Sequence, residues 1–235
     1  MTNIPPKPAA AIALLQEAVR AHGRVVYASS LGAEAIVLMD LIFTQVPQID
    51  VFTVDTGRLP ELTRQLLDRV SRRYQRPIRV MFPEALSVQN FVADHGINGF
   101  YDGLEQRQRC CNIRKVEPFK RAIAGYQAWV TGVRHEQSAA RATSQPLEWD
   151  ARYQIHQINP LLEWTDSDIW GYIRGNKLPY NPLHDQGYPS IGCEPCTRAI
   201  EPGQDSRAGR WWWESAESRE CGLQPKRLPN SLSDL

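Results

Sequence analysis

The sequence predicts an α/β fold: a mostly parallel, twisted sheet flanked by helices, followed by an irregular C-terminal tail. Two observations carry this. Short apolar runs rich in β-branched and aromatic residues recur along the first two thirds of the chain, and segments with helical spacing separate them. Strands that alternate with helices imply right-handed crossovers and a parallel sheet. After Lys177 the periodicity stops, and prolines, glycines and aromatics dominate.

The elements follow in order. Residues 1–8 are proline-rich and read as a loose arm. Residues 12–21 have helical spacing, residues 24–30 form a first buried strand and residues 33–44 a helix. A second strand covers 50–55, and Pro60 suits the first turn of a helix that continues through 61–74. Residues 77–82 give a third strand, 87–95 a helix and 128–131 a fourth strand. Residues 142–152 read as a loop, and 153–158 as an added edge strand ended by Pro160. Thr165 is placed to cap a helix over 166–174. This divides the chain into a nucleotide-binding α/β domain with a metal site over 1–196 and a mobile tail over 197–235. In such sheets ligands bind beyond the carboxyl ends of the strands, so the loops 29–34, 55–58 and 131–141 should converge on one pocket.

Bulk properties exclude several classes. A net charge of +1 gives no global attraction to nucleic acid or to a membrane surface. The longest apolar stretch, Ala35 to Phe43, is interrupted by Asp40 and is too short to span a bilayer. The N-terminal residues lack the apolar run of a signal peptide, and 5 cysteines is an odd count. Both point to a reducing cytoplasm, where thiols act as ligands or nucleophiles.

Chemistry concentrates at the cysteines. Cys110 and Cys111 are adjacent, Cys193-Glu194-Pro195-Cys196 has a metal-binding spacing, and Cys221 stands apart in a polar segment. Adjacent side chains diverge on both helices and strands. A vicinal pair that serves one centre therefore needs a local kink or a cluster large enough to span both directions, which suits a cubane better than one tetrahedral zinc. The plain structural alternative is two unrelated buried thiols beside a zinc half-site. Cys221 by itself reads either as a surface thiol or as a nucleophile.

The loop Ser29-Ser30-Leu31-Gly32-Ala33-Glu34 joins a strand to a helix, where free N–H groups favour an anion; Ser30 and Gly32 are its candidate contacts. It lacks the second glycine and the Lys-Ser/Thr of a Walker loop, and a serine-capped turn is the plain alternative. It is similar to the S-x-G-x-[DE] loop of the adenine nucleotide alpha hydrolase-like superfamily. Asp55, in the turn Asp55-Thr56-Gly57-Arg58, is a candidate contact to ribose or adenine. Arg207 and Arg210 stand beside three tryptophans, and Lys115, Arg134 and Arg141 add charge near the expected rim. Guanidinium groups bind phosphate and sulfate oxygens bidentately, so this set suits a ligand with more than one anionic group.

Together these motifs resemble the assimilatory sulfonucleotide reductases, in the branch that acts on adenylyl sulfate (adenosine 5′-phosphosulfate). The resemblance runs from about Val25 to Leu223. It rests on Ser30-Leu-Gly-Ala-Glu34, Thr53-Val-Asp-Thr-Gly-Arg58, Cys110-Cys111 with Arg114-Lys115, Thr131-Gly-x-Arg134, Pro179-Tyr-Asn-Pro-Leu-His184, the Cys193/Cys196 segment, Arg207 to Trp213, and Glu220-Cys221-Gly222-Leu223. It implies a 4Fe-4S cluster on Cys110, Cys111, Cys193 and Cys196, and attack by Cys221 on the substrate sulfur. It also implies release of sulfite and AMP in cysteine biosynthesis, and reduction by thioredoxin or a glutaredoxin-like partner. Lys115, Arg141, Arg207 and Arg210 would surround the phosphosulfate. Ala35, Ala140 and Gln224 depart from the pattern, Gln224 standing where a histidine is usual. A phosphoadenylyl-sulfate or dual-substrate reductase is the first alternative, ahead of an ATP pyrophosphatase or a non-catalytic metal-binding module. A homo-oligomer stays open.

Overall fold

The computed structural model describes residues 6–137, 141–215 and 223. Helices α1 (Pro6–His22), α2 (Ala33–Gln45), α3 (Glu61–Tyr74) and α4 (Ala85–His95) alternate with strands β1 (Val25–Ser29), β2 (Asp50–Val54) and β3 (Arg79–Met81). Helix α5 (Leu104–Cys111) runs through a π-helical turn, Asn112–Val116, into α6 (Glu117–Ile123). Strands β4 (Ala128–Val130), β5 (Leu147–Asp150) and β6 (Ile155–Ile158) precede α7 (Asp166–Gly175). The sheet has six strands in the order β3-β2-β1-β4-β6-β5, parallel except for the β5/β6 pair.

Burial explains the arrangement. Strand β1 is central and pairs with β2 and β4, so its Val25, Val26 and Tyr27 are covered on both faces. Helix α2 is apolar nearly all round and lies deep in the core; Asp40, the acid in its interior, is satisfied by the hydroxyls of Tyr74 at 2.6 Å and Tyr172 at 2.7 Å. On α3 the buried residues are Thr63, Leu66 and Val70, one face of an otherwise charged helix. Thr165 caps α7 as expected, in a capping box with Asp168.

The structure corrects three local expectations. Helix α1 begins at Pro6, so residues 6–8 belong to it; proline is tolerated in a first turn, where its missing N–H has no partner to lose. The 142–152 segment contains strand β5, and β5 rather than β6 is the sheet edge. The signal was inverted there: Leu147 and Trp149 face solvent, while Glu148 and Asp150 turn inward to Gln157, Asn159 and Arg152. Residues 104–123, for which the sequence suggested no element, form the α5–π–α6 run. Among the described residues no helix is long and apolar enough to cross a membrane.

Residues 197–215 lie against the rest of the structure. Thr197 bridges Arg210 in antiparallel fashion, the Trp211 N–H donates to the Cys196 carbonyl at 3.1 Å, and the Trp211 side chain is buried. Cys221, Ala140 and Gln224 lie outside the described residues.

Candidate active site

The carboxyl ends of β1, β2 and β4 open into one cavity of about 710 Å³. The loop after β1 shapes its floor. Leu31 has a φ of 59°, a left-handed conformation that is rare for a branched residue and is held by burial of its side chain. The hydroxyls of Ser29 and Ser30 accept the N–H groups of Leu31 and Gly32 at 3.3 and 3.4 Å. Gly32 then caps α2 without a side-chain bond, so the first N–H groups of the helix receive no side-chain cap from it. Gly132 makes a close approach possible on the β4 side: an added Cβ would meet Glu34 Cβ at 3.2 Å.

Of the sequence-predicted contacts, Ser30, Gly32, Lys115, Arg141, Arg207 and Arg210 all line this cavity, and so does Leu223, two positions beyond Cys221 in the sequence. Asp55 is not in the lining; its carboxylate accepts the Gly57 N–H at 2.8 Å and shapes the turn, while the neighbouring Thr56 reaches the wall. Arg134 lines the cavity but is matched by carboxylates. It pairs with Glu34 at 2.9 Å, Glu136 at 2.8 Å and Asp166 at 3.4 Å, tying the start of α2 to the start of α7. Its charge is therefore balanced by acids of the frame rather than added to the rim. Gln137 extends that network, donating to Glu34 at 2.8 Å and accepting from Arg141.

Beside this cavity lies a void of about 20 Å³ lined by all four of Cys110, Cys111, Cys193 and Cys196. Cys110 and Cys111 close α5 with Cys111 in ordinary helical geometry, and the π-helical turn Asn112–Val116 follows at once. Cys193 and Cys196 flank a single 3₁₀ turn with Pro195 inside it. Among the described residues none of the four forms a disulfide. Burial pushes the Cys110 thiol up, and Cys193 adds to this against the pull of Arg114 and Arg58. Cys196 is pushed up to about 12, first by burial and then by Cys193, Cys111 and Cys110, with Arg210 opposing. The sulfurs thus repel one another's charge across a shared space. Arg58, Arg107, Arg114 and Lys115 also line it, with Phe100 and Pro195, and Thr56 Oγ1 is 3.2 Å from Cys193 Sγ. Among the described residues no group of three or more His, Cys, Asp or Glu is arranged to hold a single metal ion. Lys115 and Thr56 line both the small void and the large cavity, so the two sites share a wall.

Sequence reasoning assigned no site role to several participants. Arg107 is buried and paired with the equally buried Glu214 by two bonds of 2.8 Å; its signal was a basic residue three positions before the cysteine pair. His184 lines the cavity with Nδ1 donating to the Tyr188 carbonyl at 2.8 Å. Burial lowers its pKa, which keeps the imidazole neutral near pH 7. Tyr180, which like His184 belongs to the Pro179–His184 motif, also lines the cavity, as does Arg174, whose spacing does not distinguish it from an ordinary surface residue.

Fold and site together define an adenine nucleotide alpha hydrolase-like α/β protein with a cationic cleft at the strand ends. Candida glabrata FMN adenylyltransferase, solved with ATP, shares that fold alone, with 15% identity, a TM-score of 0.56, and coverage of 91% of this chain and 73% of the other. The phosphoadenosine phosphosulfate reductase domain family matches residues 24–199, and the chain belongs to it. It is 50% identical over 226 residues to a protein of Allochromatium vinosum named adenosine 5′-phosphosulfate reductase, covering 96% of this chain and 88% of that one. A Burkholderia cepacia protein of the same name is 50% identical over 211 residues, covering 90% and 84%. The phosphoadenylyl-sulfate reductase of Candida auris, solved with phosphate, superposes with a TM-score of 0.70 at 28% identity, covering 81% of this chain and 90% of the other.

Proposed function

We propose that this chain is an oxidoreductase of sulfate assimilation that reduces adenylyl sulfate to sulfite and AMP. The observation that carries the reading is the single cavity in which the Ser30–Gly32 loop meets Lys115, Arg141, Arg207 and Arg210, with Leu223 on its wall. A nucleotide phosphate on the loop and N-terminus of α2 leaves the sulfate end to the cations, whose field offsets the charge that builds on the leaving phosphate. Cys221 is the nucleophile. Its thiolate attacks the substrate sulfur, a sulfur–sulfur bond forms, the sulfur–oxygen bond to phosphate breaks, and AMP leaves with that electron pair. A dithiol of the thioredoxin or glutaredoxin class then attacks Cys221 sulfur and expels sulfite. Its second thiol resolves the mixed disulfide, so both electrons come from the dithiol and Cys221 returns as a thiolate.

Cys110, Cys111, Cys193 and Cys196 are read as the holders of one 4Fe-4S cluster. Four soft donors around one void suit iron–sulfur chemistry, and the surrounding arginines would offset an anionic centre. When bound, the cluster would supply a covalent brace and a local charge at the shared wall; the chemistry described above needs no electron from it.

The test is mass spectrometry of anaerobic protein mixed with adenylyl sulfate and no reductant. The peptide containing Cys221 is expected to gain one SO3, and Cys221→Ser to gain none and release no sulfite. Turnover that survives Cys221→Ser would sink the assignment. Repeating the assay with the 3′-phosphorylated substrate separates this reading from that of a phosphoadenylyl-sulfate reductase, which the Candida auris likeness keeps in view. A colourless anaerobic preparation that carries stoichiometric zinc would overturn the cluster.

A further inference from the structure

The Arg210–Trp213 run enters the chemistry so far only through its arginine. Yet Trp211 is among the largest fully buried side chains, 1% exposed. Two guanidinium carbons lie over its indole, that of Arg107 at 4.7 Å from the ring centroid and that of Arg210 at 4.6 Å. They come from different sites. Arg107 lines the four-cysteine void and is held there by Glu214, whereas Arg210 lines the nucleotide cavity. Trp211 itself is anchored by its backbone N–H on the Cys196 carbonyl, and among the described residues its Nε1 makes no hydrogen bond. The ring is thus placed by packing and by the two cations. On another side, Gly192 leaves room for the Arg210 guanidinium, since a Cβ there would sit 2.2 Å from Nη2; Ser190 Oγ accepts from Nη1 at 3.3 Å.

We propose that Trp211 is the positioning residue for Arg210: its indole face holds the guanidinium toward the anionic end of the bound substrate. A long, flexible side chain bearing one charge gains most from a preset orientation where the site is desolvated, and a buried indole face supplies that orientation without competing for the guanidinium's N–H groups. The inference rests on reading the cavity as the adenylyl-sulfate site.

A double-mutant cycle tests it. In Cys221→Ser protein, which leaves substrate intact, calorimetry measures adenylyl sulfate and AMP binding to Trp211→Phe, Trp211→Leu, Arg210→Ala and the double variants. Trp211→Leu is expected to weaken adenylyl sulfate about tenfold and Trp211→Phe about threefold, with AMP affected less. Once Arg210 is alanine, neither Trp211 change should cost anything further. A loss that persists in the Arg210→Ala background overturns the proposal and makes Trp211 a packing residue. Should the leucine variant fail to fold, the phenylalanine cycle decides by the same criterion. If Arg210→Ala alone leaves adenylyl sulfate binding unchanged, the substrate-site reading of Arg210 falls with it, an outcome distinct from an uncoupled Trp211.

Discussion

Removing the carboxylate of Glu214 is the sharpest test of how the cysteine site is braced. The Arg107–Glu214 pair joins α5, just ahead of Cys110, to the segment after Trp213, with two bonds of 2.8 Å and side chains only 2% and 6% exposed. Desolvation works against the Arg107 charge, while Glu214 and the nearby Cys111 hold its pKa up. Glu214→Ala leaves that guanidinium buried without its main counter-charge, and breaking a buried pair in this way costs about 3–5 kcal/mol. For a chain of this size, about 2–4 °C of melting temperature per kcal/mol gives a drop on the order of 6–20 °C. Glu214→Gln keeps one acceptor and should lose roughly half as much. Scanning calorimetry, or urea unfolding followed by far-UV circular dichroism, reads the difference. The companion variant Arg107→Met/Glu214→Leu removes both charges and should recover most of the lost stability, because the penalty lies in the stranded charge rather than in lost attraction. A Glu214→Ala melt within about 2 °C of the parent would refute the reasoning. So would a double variant as unstable as the single one, which would place the cost in packing.

Two further outcomes follow from the same geometry. Gly192→Ala brings a Cβ to within 2.2 Å of the Arg210 guanidinium, which must swing away; titration should show adenylyl sulfate binding weakened by about tenfold or more while the melting temperature moves little, and unchanged affinity would show that Arg210 does not reach the ligand. Asp168 is held down to about 2 by hydrogen bonds from Lys7 and from the Thr165 side chain and backbone. A carboxylate depressed on folding contributes stability above its unfolded pKa, near 4, and loses it as pH falls toward about 2. The stability advantage over Asp168→Asn should therefore be full at pH 6, shrink below pH ~4 and vanish near pH ~2, and should be reduced by salt because the pair is partly exposed. A pH-independent difference in acid titrations would contradict it.

Period and turn chemistry were local enough to read before any coordinates. The buried runs of β1, β2 and β4, the proline before α3 and the Thr165 cap announce themselves within a few residues. Strand β5 did not, because its apolar residues face out while Glu148 turns in to Gln157 and Asn159 and Asp150 to Arg152. The α5–π–α6 run was hidden by its composition: the charged and polar stretch before Cys110 buries only Arg107 on α5, and an arginine buried by Glu214 leaves no apolar stripe.

By itself the sequence determined the residue types and the spacing that chemistry demands: a strand-to-helix turn rich in hydroxyls, an adjacent cysteine pair with a C-x-x-C, and arginines beside tryptophans. How each of these charges is held was decided only in three dimensions. Arg134 and Arg210 look alike in the chain, yet the first is matched by Glu34, Glu136 and Asp166, and the second rests on an indole at the cavity wall. The reason is that a side chain's net charge at a site is the sum over neighbours from distant elements, and only packing brings those neighbours together.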